Sequence, residues 1–100
     1  MNSENSKRVV GIAWYSPTQW TLLKRVATDR ADLDDTYEAW EINALETERM
    51  IVDAGQFVVR VLIDVTKLAS WCRKRRTPNN SSSRAQYVAL TMQQSNTTGA

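Results

Sequence analysis

The side chains that could do chemistry in this 100-residue chain are few, and one class is missing: there is no histidine. That removes the usual general base near neutral pH and the commonest metal ligand. Neither a Ser-His-Asp nor a Cys-His site can be assembled from this chain alone. A zinc site would have to use Cys72 with carboxylates, and no ligand spacing supports one, so neither a metal nor a cofactor is expected. Cys72 is the single cysteine, followed directly by Arg73, Lys74, Arg75 and Arg76. Neighbouring cations favour a thiolate. Against activation, Cys72 falls on the apolar stripe of its helix and near the C-terminus, where the dipole disfavours negative charge. A small buried hydrophobe is the stronger reading.

Three further residues are candidates for holding a ligand. Arg60 interrupts an apolar run, with Val58 and Leu62 on its face by strand alternation. A charge so placed is either open to solvent or paired with a carboxylate, and the sharper alternative is an arginine lining a cleft. Tyr15 and Asp64 each stand where a strand runs into a helix. In parallel α/β layers, ligands tend to bind at the C-terminal ends of strands. Trp14, Tyr15, Trp20, Tyr37 and Trp40 gather near the first such end, as a pocket wall or as core. The run Arg73–Arg76 is a candidate anion contact, although cations at a helix C-terminus also complement the dipole. Catalytic residues are not assigned.

The elements that must position these groups can be read in order. Val9 to Tyr15 is a short apolar run rich in β-formers, giving a buried strand over 8–14. Gly11 within it points to close approach of another element. Ser16-Pro17-Thr18-Gln19 is a capping box with proline at the first helical position. It starts a helix from Pro17 to about Thr28 with Trp20, Leu23, Val26 and Ala27 inward. After a polar connection with Leu33 tucked in, Asp35-Thr36-Tyr37-Glu38 opens a second helix running to about Ala54. Its broad apolar face is Tyr37, Trp40, Ala44, Leu45, Ile51 and Val52, and Gly55 ends it. Phe57 to Ile63 is the strongest strand signal, with Val59, Val61 and Leu62 expected in the core. Asp64 caps a third helix with Val65, Leu68, Ala69 and Cys72 inward. Thr77 to Ser83 reads as a turn or linker, and a last helix from Ser83 places Ala85, Val88, Ala89 and Met92 inward.

The order β-α-α-β-α-α predicts a small α/β domain: two short parallel strands joined by a right-handed crossover, with helices packed on them. One domain is expected over 7–94, with disordered tails at 1–6 and 95–100. Two strands leave both sheet edges open. Pairing between chains would cover them, and the apolar residues outside the inward stripes, Leu22, Ile42, Trp71 and Leu90, are candidates for that surface. A homodimer is therefore expected.

The blocks Trp14-Tyr15, Thr36-Tyr37-Glu38-Ala39-Trp40 and Trp71-Cys72-Arg73, in this strand–helix layout, resemble a group of short bacterial proteins of unassigned function. The resemblance covers roughly residues 8–92. It implies a bacterial source and no activity.

Thirteen basic residues against eleven acidic ones leave a net charge of +2, too little to argue for nucleic acid. One cysteine and a polar N-terminus favour a reducing, cytoplasmic setting, and no run is long enough to span a membrane. The function that fits best is a non-catalytic interaction or regulatory module acting as a homodimer, with a further protein partner allowed. The alternatives are a small-ligand-binding protein or weak enzyme built on Tyr15, Arg60 and Asp64, and, less favoured, nucleic-acid contact through Arg73–Arg76.

Overall fold

The computed structural model describes residues 8–99, and side chains as far as Gln94. The elements are β1 (Val9–Trp14), α1 (Pro17–Val26), a single 3₁₀ turn (Arg30–Asp32), α2 (Tyr37–Asp53), β2 (Phe57–Leu62), α3 (Val65–Arg75) and α4 (Ser81–Gly99). The N-terminal tail expected at 1–6 lies outside the described residues. The backbone of α4 continues as helix beyond Gln94, where the sequence places the end of the domain.

The two strands pair with each other in parallel, in register from Val9 with Phe57 to Trp14 with Leu62. Paired residues share a face, so Val10, Ile12 and Trp14 lie with Val58, Arg60 and Leu62. That face receives α2, through Trp40 against Trp14 and Glu48 against Arg60. Gly11, on the opposite face, receives α4: a Cβ there would collide with Met92 Sδ and lie 3.0 Å from Val88 Cγ1. The close approach that the glycine signalled is thus a helix. Gly11→Val is expected to cost about 1–3 kcal/mol, the range for overpacking a filled site, read as a lower midpoint in urea.

Both strands end in helix caps. Ser16 Oγ accepts from the Gln19 N–H at 3.2 Å, and Asp64 Oδ1 accepts from the Lys67 N–H at 3.2 Å. The glutamine expected to close the box at Ser16 turns away instead: Gln19 Oε1 accepts from the Val65 N–H at 2.6 Å. It satisfies an orphan donor of α3 and ties the two helix starts together. Behind this tie α1 packs on α3, and Leu23, Val65 and Leu68 form the most deeply buried part of the core. Thr36 caps α2, its Oγ1 accepting from the Ala39 N–H, and Gly55 adopts φ 86° just past the helix end.

Several residues expected inside are not. Val59 and Leu62 are exposed, Leu62 by 79 %, as are Val26, Leu45 and Val52. Trp20, Val61 and Leu68 are buried as expected, and Trp40 is half-buried. A two-stranded sheet explains the difference: β2 has a neighbour on one side only, and one helix on each face is too narrow to cover its outer edge. On α4, Val88 is buried and Met92 packs against the core as expected, whereas Ala85 and Ala89 are exposed. The helix starts two residues earlier than expected, and Ser83 and Arg84 of its first turn are buried, Arg84 through its bond to Asp29. Asn80 Oδ1 accepts from the Ser83 N–H in its first turn.

Candidate functional site

The three ligand candidates do not converge. Tyr15 is 4 % exposed, and burial pushes its phenol up to about 12. Arg60 is exposed and already committed: its Nε and Nη2 donate to Glu48 at 2.6 and 2.9 Å, and its guanidinium lies 3.8 Å over the Trp14 ring. The hydrogen bond from Arg60 holds the Glu48 carboxyl below the usual range. Asp64 is exposed at the start of α3, and its charge is felt by Tyr87 of α4 rather than by Tyr15.

The five aromatics do gather, and they fill the space between them. Trp40 stacks on Trp20 at 5.5 Å and meets Trp14, Tyr15 and Tyr37 at 5.2–5.4 Å. This is a packed cluster that joins β1, α1 and α2. A shallow depression of about 260 Å³ lies beside it, bordered by Asp32, Asp34 and Arg84. Among the described residues no group of three or more Cys, Asp or Glu side chains could hold a metal ion.

Sequence reasoning missed the node formed by Arg84, Asp29 and Asn79. Arg84 Nη1 and Nη2 donate to the two Asp29 oxygens at 3.0 and 2.7 Å, and Nη1 also reaches Asn79 O at 3.1 Å. The same carbonyl accepts from the Thr28 N–H at 2.9 Å. The segment expected to be a turn or linker therefore pins the end of α1 to α4. The bond from Arg84 holds the Asp29 carboxyl below the usual range. Neither partner lies on an apolar stripe, so periodicity gave no sign of the pair.

Cys72 is buried and unpaired in a disulfide, as its place on the stripe predicts. It is expected to react with an aromatic disulfide reagent far more slowly in the native protein than in denaturant; equal rates would place the thiol at the surface. Arg73, Lys74, Arg75 and Arg76 are exposed. Arg75 lies 4.7 Å over Trp71, and Arg76 closes α3 in the left-handed region at φ 56°.

The two sheet edges differ. The Phe57 N–H donates to Arg8 O and the Ile63 N–H to Trp14 O, so odd-numbered residues of β2 face β1. By alternation, the outward N–H and C=O groups are those of Val58, Arg60 and Leu62. The outer edge of β1 lies in a largely apolar groove of about 420 Å³, walled by Thr47 and Ile51 of α2 and Arg84, Ala85 and Val88 of α4. That edge is an open groove between two helices. The β2 edge is flanked instead by exposed Phe57, Val59 and Leu62, and Leu45, Val52 and Val58 line an open trough beside it.

No family model matches the chain, and neither a curated protein nor a solved structure does. Among the described residues, no helix is long and apolar enough to cross a membrane.

Proposed function

We propose that the chain is a non-catalytic interaction module that works as a homodimer, with the β2 edges of two copies paired antiparallel across a twofold axis. One observation carries this reading: five of the nine large apolar side chains exposed among the described residues lie on β2 or on the helix face beside it. Leu45, Val52, Phe57, Val59 and Leu62 are between 43 and 79 % exposed. Side chains of this size offer on the order of 500 Å² per protomer, most of the ~800 Å² that a standard interface takes from each partner. A second copy suits this edge because strand and edge are self-complementary. An axis through Val59 pairs Val58 with the partner's Arg60 and Phe57 with the partner's Val61. An axis through Arg60 would set two guanidinium groups side by side, so the first register is favoured. The result is a four-stranded sheet whose outer edges are the β1 strands.

Of the apolar residues outside the inward stripes, Ile42 is exposed on α2 and stays available to an interface. Leu22 and Trp71 pack against the core instead. The reading based on a Tyr15, Arg60 and Asp64 pocket has less support, because these side chains have separate partners. The test is Val59→Lys. The side chain is exposed, so the protomer tolerates the change, but two ammonium groups would meet on the axis. The expected outcome is a monomer at concentrations where the parent chain is dimeric. A dimer unaffected by this change and by Leu62→Lys would reject the β2 edge as the interface.

A further inference from the structure

Every Asp and Glu of the chain lies at or before position 64, whereas residues 65–100 carry Lys67, Arg73, Lys74, Arg75, Arg76 and Arg84. Arg84 is spent on Asp29. The other five stand exposed on α3 and its C-terminal cap. Beside them, α3 and α4 enclose an open groove of about 340 Å³. Lys67, Ser70 and Lys74 form one wall, spaced i, i+3 and i+7 on a single helix face, with the lysines about 10 Å apart along the axis. The floor is Trp71 against Tyr87, edge to face at 5.3 Å, and Thr91 and Gln94 stand on the α4 side. Neither lysine forms an ion pair among the described residues.

Helix electrostatics accounts for Arg73–Arg76 at the C-terminal turn, but not for Lys67. It sits in the first turn of α3, where the dipole disfavours a cation. Its neighbour Asp64 caps the helix through Oδ1 on the Lys67 backbone N–H, and the Lys67 ammonium forms no ion pair among the described residues. Two cations beside an edge-to-face aromatic pair, one ring of which already carries the Arg75 guanidinium, suit a ligand that joins negative charge to a flat aromatic ring. The volume is that of a small-molecule site. We infer that the α3–α4 groove binds a phosphate-bearing nucleobase, with Lys67 and Lys74 holding phosphate and Trp71 and Tyr87 meeting the base. The ligand is either a free nucleotide or one unit of a single strand, since both present this chemistry. The inference is independent of the dimer, whose edge lies on β2.

The test is equilibrium binding of ATP, of pyrophosphate and of a short oligodeoxyadenosine to the parent chain and two double variants. Lys67→Ala with Lys74→Ala removes the proposed phosphate ligands. Arg25→Ala with Arg30→Ala removes two exposed cations elsewhere and controls for net charge. The first pair is expected to weaken ATP and oligonucleotide binding at least tenfold, and the second less than twofold. For the oligonucleotide, the slope of log affinity against log salt should flatten by about 1.4 when both lysines are replaced, since each then leaves one phosphate unneutralised. Equal affinity for ATP and oligonucleotide would identify the free nucleotide as the ligand, and tighter oligonucleotide binding would identify the strand; both support the site. Three results would overturn it: no ATP binding at millimolar concentration, pyrophosphate binding as tightly as ATP, or equal effects of the two double variants.

Discussion

Arg84→Ala is expected to destabilise the domain by about 1–3 kcal/mol, the cost of leaving the acceptors of a buried donor unsatisfied. Against a total of roughly 5–15 kcal/mol for a small domain, this is a sizeable share. The size follows from what is left behind. The Arg84 side chain is 9 % exposed and Asp29 is 18 % exposed. Without the guanidinium, the Asp29 carboxylate and the Asn79 carbonyl lose their shared donor. Changing both partners together, Arg84→Met with Asp29→Leu, should cost much less than Arg84→Ala alone, because no charge is then stranded. The pair also gives a pH signature. The Asp29 carboxyl titrates lower in the folded chain than in the unfolded one. Its contribution is therefore fully present above the ordinary aspartate value of about 3.9 and is lost as pH falls through the lower folded value. Urea midpoints of the parent chain should drop with acid in that window, and Arg84→Ala should remove this part of the drop. An Arg84→Ala protein as stable as the parent would show that the node is dispensable.

Trp20→Ala is expected to cost about 3–5 kcal/mol, the usual range for deleting a buried large aromatic. Trp20 is 4 % exposed and lies between Tyr15 and Trp40. Its loss would open a cavity where β1, α1 and α2 meet. Trp20→Phe separates packing from polarity. The Trp20 indole Nε1 is buried with no hydrogen-bond partner among the described residues. Removing an unpaired buried donor returns about 1–3 kcal/mol, which offsets part of the lost ring. The phenylalanine variant should thus lie much nearer the parent than the alanine variant. Equal losses for the two would contradict this account of Trp20 packing.

What could be read from the sequence follows from how local each determinant is. Caps act within one turn, so Ser16, Asp35 and Asp64 marked three of the four helix starts to within a residue, the cap of α2 falling on Thr36. Gly11 announced a close approach because only a missing Cβ permits one. Arg60 was legible as an ion pair because a charge in a strand must find a partner. Burial on β2 was not legible: Val59, Val61 and Leu62 look alike in sequence, and only strand order separates the buried Val61 from its exposed neighbours. The Arg84–Asp29 pair joins residues 55 positions apart and leaves no periodic trace. The α3–α4 groove had one available signal, the absence of acidic residues after Asp64, which the overall net charge of +2 concealed. Lys67 stands apart from the contiguous Arg73–Arg76 block, and its relation to Lys74 emerges only once both lie on one helix.

The exposed β2 edge makes assembly the central claim, and mass in solution tests it most directly. Sedimentation equilibrium of the full chain, from low to high micromolar concentration, is predicted to give twice the 11.4 kDa chain mass at the upper end. The dimer should dissociate on dilution, and Val59→Lys should shift dissociation to higher concentration. A single species of 11.4 kDa throughout the range would contradict the account and leave β2 as an edge exposed in the working protein.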